Sequence, residues 1–312
     1  MDAPLQGRGE EPAMSERIRP MVFVLCVAWL VSATSLGAGS SVTVSAEDGG
    51  RLESCDEIRV RFDDEEGARS EEVLTLAGST RRLRVSAPDQ ASVRIQSVEA
   101  EDIAVTVCRA AQAGRRRGAA TLAAIDVTAA GDTLTVRGPA GNHWWAYLIV
   151  DAPPGTELDV RVGDGEIGLY EVSGQVEAAT INGPLWARSF SGRLRARSKN
   201  GPIEIEGARG DIEVATENGP IEIALAGRQW DGERLRARTE NGPVSLAVPE
   251  GYQSGIRLDA SYHSPVDCRA PACRVAARTW DDDDERRLQL GTGSPAVHLS
   301  TVNGPVEIVS KN

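Results

Sequence analysis

The sequence predicts an all-β chain: a β-solenoid, or β-helix-like stack of short strands, with a β-rich N-terminal cap. Three observations predict it. Glycine recurs every nine residues, at Gly165, Gly174, Gly183, Gly192, Gly201, Gly210 and Gly219. The residues two and four places after each glycine are apolar throughout, from Ile167 and Leu169 to Ile221 and Ile223. The residues between them are mostly polar: Gly168, Glu177, Trp186, Arg195, Glu204, Glu213 and Glu222. That alternation marks a short strand with one buried face, and the glycine marks a corner. Finally, every second nonamer opens with Asn-Gly-Pro, at Asn182-Gly183-Pro184, Asn200-Gly201-Pro202 and Asn218-Gly219-Pro220. The period is therefore eighteen residues, two strands and two corners to the unit. Further copies stand at Asn241-Gly242-Pro243 and Asn303-Gly304-Pro305, and a degenerate copy at Ser261 to Val266 has His263-Ser264 in place of Asn-Gly.

Composition agrees with many small strands around an Ile, Val, Leu and Ala core. Of 312 residues 41% are hydrophobic but only 4% aromatic, and 32 are glycine. A net charge of −12 lacks the positive footprint that nucleic acid requires, and it keeps a β-rich surface soluble.

Taken in order, the chain opens as a signal peptide over residues 1–38. Arg17 and Arg19 precede an apolar run from Met21 to Val31 and a small-residue tract from Ser32 to Ser41. Met14 is the start that gives a conventional signal length. The run is too short to span a bilayer, which takes roughly 20 residues of helix. Export follows, to periplasm, surface or medium, with no transmembrane segment left after cleavage. With Cys26 removed, four cysteines remain. An even count in an exported chain favours disulfides. Cys268–Cys273 closes a small local loop, and Cys55–Cys108 follows by elimination. Neither spacing is that of a zinc site, and no metal is expected.

Residues 39–162 read as the cap. Short apolar or alternating runs at 73–76, 83–85, 93–95, 103–107, 134–136 and 146–150 are separated by Gly, Pro, Asp and Asn. The stretch Ala110 to Ala124, holding Arg115-Arg116-Arg117, reads as a loop or a short helix. Residues 163–312 form the repeat region. Stacking at eighteen residues places each asparagine of Asn182, Asn200 and Asn218 over the next, about 4.8 Å apart, as a side-chain ladder. Thr180, Ser198 and Thr216 line up beside them as a hydroxyl ladder. Proline after the corner glycine suits a strand's first residue, where no donor is needed. An antiparallel meander on Asn-Gly turns is the other geometry, but some five residues of strand per nonamer are short for it. After Ile223 the period slips, and Gly227 to Gly232, with Trp230, is an inserted loop. The last coil is Ala296 to Ile308.

The Thr/Ser-x-Asn-Gly-Pro-Ile/Leu/Val signature resembles a bacterial family of exported β-strand-repeat proteins known as putative adhesins, a domain of unknown function. The resemblance runs from about Leu52 to the C-terminus. It includes the strand Trp145-Ala146-Tyr147-Leu148-Ile149-Val150 leading into Pro153-Pro154-Gly155, and the Trp230 unit. It implies a solenoid-like fold, an envelope or surface location, and no catalytic residues.

Candidate chemistry is sparse. His143, His263 and His298 are scattered, and no serine stands in a nucleophile-elbow context. The corners lack the aspartates of calcium-binding β-rolls, although Asp164 and Asp211 come near. The acidic run Asp281 to Glu285 reads as a solvated loop. One outer column, Trp186, Glu204 and Glu222, is the candidate binding face, with Trp186 outward on it as either an exposed contact or a ring covered by the cap or a neighbouring loop. Trp280 is a further aromatic candidate. Stacked glutamates one rung apart also approach the carboxyl separation of retaining glycosidases. The expected function is therefore a non-catalytic interaction scaffold, adhesin-like, for a protein or glycan of the cell envelope, needing no cofactor. A carbohydrate-active enzyme or glycan-binding protein on a β-helix is the alternative.

Overall fold

The computed structural model of the chain describes residues 31–33, 41–46, 50–77, 81–114, 117–261, 264–275, 277–280, 285–291 and 294–311. The predicted signal segment is described only at Val31–Ala33, a strand paired with Val42–Ala46. Arg115, Arg116, Tyr262, His263 and Asp281 to Asp284 lie outside the described residues, and so does the side chain of Trp280.

Two parallel sheets carry the repeats. The long-strand sheet stacks Glu157–Asp164, Ser173–Asn182, Ser191–Asn200, Arg209–Asn218 and Arg234–Asn241. The short-strand sheet stacks Ile167–Tyr170, Leu185–Arg188, Ile203–Glu206, Ile221–Ala224 and Val244–Val248. Partners stand eighteen residues apart over most of the stack, Val176 beside Leu194 and Ile203 beside Ile221. The pairing is parallel, so the antiparallel meander is not formed. Each rung points two apolar side chains from each sheet into a shared core. In one rung these are Leu194, Ala196, Ile203 and Ile205, all at most 1% exposed. Burial of each large aliphatic chain contributes about 2 kcal/mol.

The corners need glycine for two different reasons. Gly192 has φ of +126°, a backbone that side-chain-bearing residues rarely adopt. Gly201 does not, but a Cβ there would overlap the carbonyl of Gly183 in the preceding rung. Beside it the asparagine ladder forms. Nδ2 of Asn200 donates to Oδ1 of Asn182 at 2.9 Å, and Asn218 donates to Asn200 at 2.9 Å. Asp164 starts the ladder by accepting from Asn182 at 2.7 Å. Thr180, Ser198 and Thr216 line up in register as expected, but their hydroxyls bond to corner carbonyls. Thr216 Oγ1 donates to the Gly201 carbonyl at 3.1 Å, and Thr239 to that of Gly219 at 2.9 Å. They are buried, and each satisfies a corner carbonyl rather than the next hydroxyl.

Parallel pairing reaches back before the nonamer begins. The two runs at 83–85 and 93–95 belong to one sixteen-residue strand, Arg82–Ser97. Its first half pairs with Glu157–Asp164 and its second half with Ile167–Tyr170, so one strand crosses the corner and serves both sheets. Trp144–Ala152, Ile103–Ala111 and Ala68–Leu76 extend the short-strand sheet, the last two antiparallel. Arg117–Ala124 is a helix. A small sheet of Val31–Ala33, Val42–Ala46, Ile58–Phe62 and Glu65–Glu66 has its own core, with Phe62, Leu52 and Ile58 against Trp145, Tyr147 and Ile149. The Cys55–Cys108 disulfide ties the two together.

The C-terminal coil departs from the expected order. Pro295–Asn303 pairs directly with Arg234–Asn241, placing Leu235 beside Val297 and Asn241 beside Asn303. Gly255–Ser261, earlier in the chain, lies on its far side. The coil 296–308 is thus inserted between two earlier segments instead of closing the stack, and the degenerate copy lies outside it. This order carries the ladder into the coil: Asn303 donates to Asn241 at 2.9 Å, and Thr301 donates to the Gly242 carbonyl at 3.1 Å. The antiparallel strand Glu285–Leu290 and the Cys268–Cys273 disulfide finish that end. Trp230 is buried, and its indole Nε1 donates to the Gly210 carbonyl at 3.1 Å, so the inserted loop folds back on a corner.

Candidate functional site

The predicted column does lie in register. Arg94, Gly168, Trp186, Glu204, Glu222, Ser245 and Glu307 follow one another across the outer side of the short-strand sheet. Trp186 is only 7% exposed, so of its two readings the covered one holds and the exposed contact does not. The indole leans back over Gly168, where any Cβ would collide with the ring. The guanidinium of Arg94 stands 4.8 Å from the ring centroid and that of Arg188 5.5 Å. A glycine one rung back and two nearby guanidinium groups leave the ring little exposed.

Arg94 is itself held in a buried polar cluster. Its Nη2 and the hydroxyl of Tyr147 both donate to Oε1 of Glu166, at 3.1 and 3.0 Å. Ser92 Oγ accepts from the backbone N–H of Glu166 and from the indole of Trp145. Burial, reinforced by the Glu166 charge, pushes the Tyr147 phenol well above its ordinary range. The cluster joins the small N-terminal sheet to the first rungs, and the cavity beside it holds only about 20 Å³.

Beyond Trp186 the two glutamates diverge. Glu204 accepts from Arg188 at 3.4 Å. Among the described residues Glu222 has no such partner, and partial desolvation together with the charge of Glu204 raises its carboxyl above the usual range. Two stacked carboxylates with different surroundings can share a proton unequally. They stand on an open sheet face, and none of the cavities described here is lined by either of them.

The long-strand sheet presents a broader outer surface. Glu177, Arg195 and Glu213 form the predicted alternating column, Arg195 lying 3.8 and 3.9 Å from the two carboxylates. All three are about half exposed, so these pairs add little stability. Further along, Asp259 accepts from Arg257 and Arg287 at 2.9 Å each and meets His298 Nε2 at 2.6 Å. Burial alone would raise the Asp259 carboxyl, but hydrogen bonds from Arg287, Arg257 and His298 outweigh it and hold the group below its usual range. The middle of this surface holds a groove of about 280 Å³ among Ala179, Arg197, Ala215, Glu217 and Arg238. No sequence motif singles these residues out. The eighteen-residue register is the signal that could have brought Arg197 beside Ala215, but the inserted loop hides Arg238, twenty-three residues further on.

Among the described residues no three His, Cys, Asp or Glu side chains converge to hold a metal ion. The Asn-Gly-Pro asparagines are committed to one another through the ladder, from Asn182 to Asn303. An open cleft of about 400 Å³ lies between Gln90 and the 138–142 loop, with Trp144 in its lining. No helix among the described residues is long and apolar enough to cross a membrane.

No protein-family model matches the chain, and no curated protein matches it. Among solved structures it is similar to a "putative cell adhesion protein" from Clostridium sporogenes, at 11% identity and a TM-score of 0.33, over 78% of this chain and 100% of that one. A "putative adhesin" from Bacteroides fragilis aligns at 10% identity and a TM-score of 0.32, over 78% of this chain and 99% of the other. One from Parabacteroides merdae aligns at 11% identity and a TM-score of 0.23, over 78% and 97%.

Proposed function

We propose that this chain is an exported, non-catalytic interaction scaffold of the bacterial envelope, an adhesin-like β-solenoid whose outer sheet surface receives a partner. One observation carries the reading. The long-strand sheet offers an exposed, charged surface whose underside is locked, rung by rung, by buried aliphatic residues and by the asparagine ladder. A surface ordered in advance loses little entropy on binding. Two disulfides and the predicted signal segment support export. The partner is a protein or glycan of the envelope.

The test is a pull-down from native envelopes with the mature chain, repeated after Arg195→Glu and Arg197→Glu on the long-strand face. Specific capture that those variants lose supports the reading. Absence of any saturable partner makes the chain a spacer instead.

A second reading is favoured by the unlike surroundings of Glu204 and Glu222. A raised carboxyl beside a paired one is the division used by glycoside-cleaving carboxylates. Under it, Glu222→Gln abolishes hydrolysis of a glycan panel without altering the melting curve. A panel that the parent protein leaves intact removes this reading.

A further inference from the structure

The outward residues of the long-strand sheet alternate in charge strand by strand. On Ser191–Asn200 they are Arg193, Arg195, Arg197 and Lys199; on Arg209–Asn218, Asp211, Glu213, Ala215 and Glu217; on Arg234–Asn241, Arg234, Arg236, Arg238 and Glu240. In the first two columns the opposite charges pair. Asp211 lies 3.4 Å from Arg193 and 3.0 Å from Arg234, and Glu213 lies 3.9 Å from Arg195.

The third column breaks this pattern, because Ala215 stands between Arg197 and Arg238 where an acid would complete it. Among the described residues Arg197 and Lys199 make no hydrogen bond or ion pair. Arg238 meets only Glu240 on its own strand, at 3.9 Å, and is 64% exposed. Ala179 and Ala215 line the groove of about 280 Å³ together with three cations, Arg197, Lys199 and Arg238, and two carboxylates, Glu217 and Glu240. Two rungs separate the guanidinium groups' backbones, roughly 10 Å. An anion seated over Ala215 is then within reach of both.

We propose that this groove binds an acidic sugar unit of a polysaccharide, its carboxylate held between Arg197 and Arg238 over Ala215. The planar guanidinium fork matches a carboxylate, and two forks facing one hollow fix its position. Glu217 accepts, and Lys199 donates to, the ring hydroxyls beside it. An acidic peptide fits the place less well. The backbone of Arg209–Asn218 is already paired on both sides, so no strand edge is free for peptide addition. The overall charge of −12 gives no general pull on a polyanion, so capture depends on this local arrangement. The proposal rests on the scaffold reading and names the partner chemistry for its outer surface.

The test is calorimetric titration of the full mature chain with oligogalacturonate at low salt. Arg197→Gln and Arg238→Gln are each expected to weaken binding about tenfold, the size of one lost charge-assisted hydrogen bond. Ala215→Leu keeps every charge, fills the hollow and is expected to weaken binding by about the same factor. Arg193→Gln removes the same charge from a paired column and stays within about twofold of the parent. Melting temperatures report that each variant is folded. Any of four results overturns the proposal: no binding by the parent, full binding by Ala215→Leu, an equal loss in Arg193→Gln, or equal affinity for polyglutamate. If the envelope pull-down keeps its partner in Arg197→Gln and Arg238→Gln while uronate binding is absent, the groove proposal falls and the scaffold reading stands. If the parent chain itself captures no envelope partner and binds no uronate, both readings fall.

Discussion

The two parallel sheets share one corner rhythm and one core, yet their outer surfaces have opposite fates. Each long strand turns several residues outward, and Arg195, Arg197 and Lys199 stay exposed. Each short strand turns out two, and at the first rungs Arg94, Ser92 and Gln96 are buried under the N-terminal sheet and its loop, with Leu52 hydrogen-bonded to Gln96. Trp186 stands at the border of that covered zone and is drawn under Arg94 and Arg188. Alternation tells which side of a strand faces away from the core. Whether that side meets water depends on what else the chain lays over it.

Both sheets are most vulnerable at a corner, where they depend on the same residue. Gly201→Ala puts a Cβ into the Gly183 carbonyl and is expected to cost about 3 kcal/mol or more, seen as a large fall in melting temperature or failure to fold. A melting curve like the parent's would show that the rungs can spread. Next comes Trp186→Ala. If the ring is covered as described, the change costs about 3 kcal/mol in urea unfolding. An unchanged midpoint would return Trp186 to the exposed surface.

Smaller effects distinguish the ladders from the surface pairs. Asn200→Ala removes one donor and one acceptor of the ladder and is expected to destabilise by about 1–2 kcal/mol. Glu177→Gln on the exposed column should change stability by less than about 0.5 kcal/mol. Comparable losses for the two would place as much stability in the surface charges as in the ladder.

The faintest contrast lies in pH. Glu222 on the short-strand sheet titrates above its unfolded value, so the folded state holds an extra proton there. Its contribution therefore weakens the fold as pH rises from the unfolded value through the folded one. Asp259 on the long-strand sheet titrates below its unfolded value, so its stabilisation is present at neutral pH and lost as pH falls through the folded value. Glu222→Gln should flatten the first slope, and Asp259→Asn the second, in melting temperatures followed from acid to neutral pH. Slopes that survive the substitutions would place these titrations elsewhere.

Local periodicity made much of this molecule legible before any coordinates. Nine-residue glycine spacing with apolar residues two and four places on leaves few geometries except short strands stacked at eighteen residues, because any other register would bury Glu177, Arg195 and Glu213. The asparagine ladder follows from the same spacing, and the even cysteine count led to Cys55–Cys108 and Cys268–Cys273. Three things were not legible, since each depends on segments far apart in sequence. What covers Trp186 is one: Arg94, ninety-two residues earlier, and the glycine beneath the ring. Pro295–Asn303 enters the stack ahead of Gly255–Ser261, and its Asn303 continues the ladder from Asn241. The hollow over Ala215 needs Arg238, which an inserted loop displaces from the repeat. Periodicity dictates what each residue does within its rung; the order of the rungs and the cover laid over them follow from long-range packing, where hydrogen-bond continuity and burial choose among many sequence-compatible arrangements.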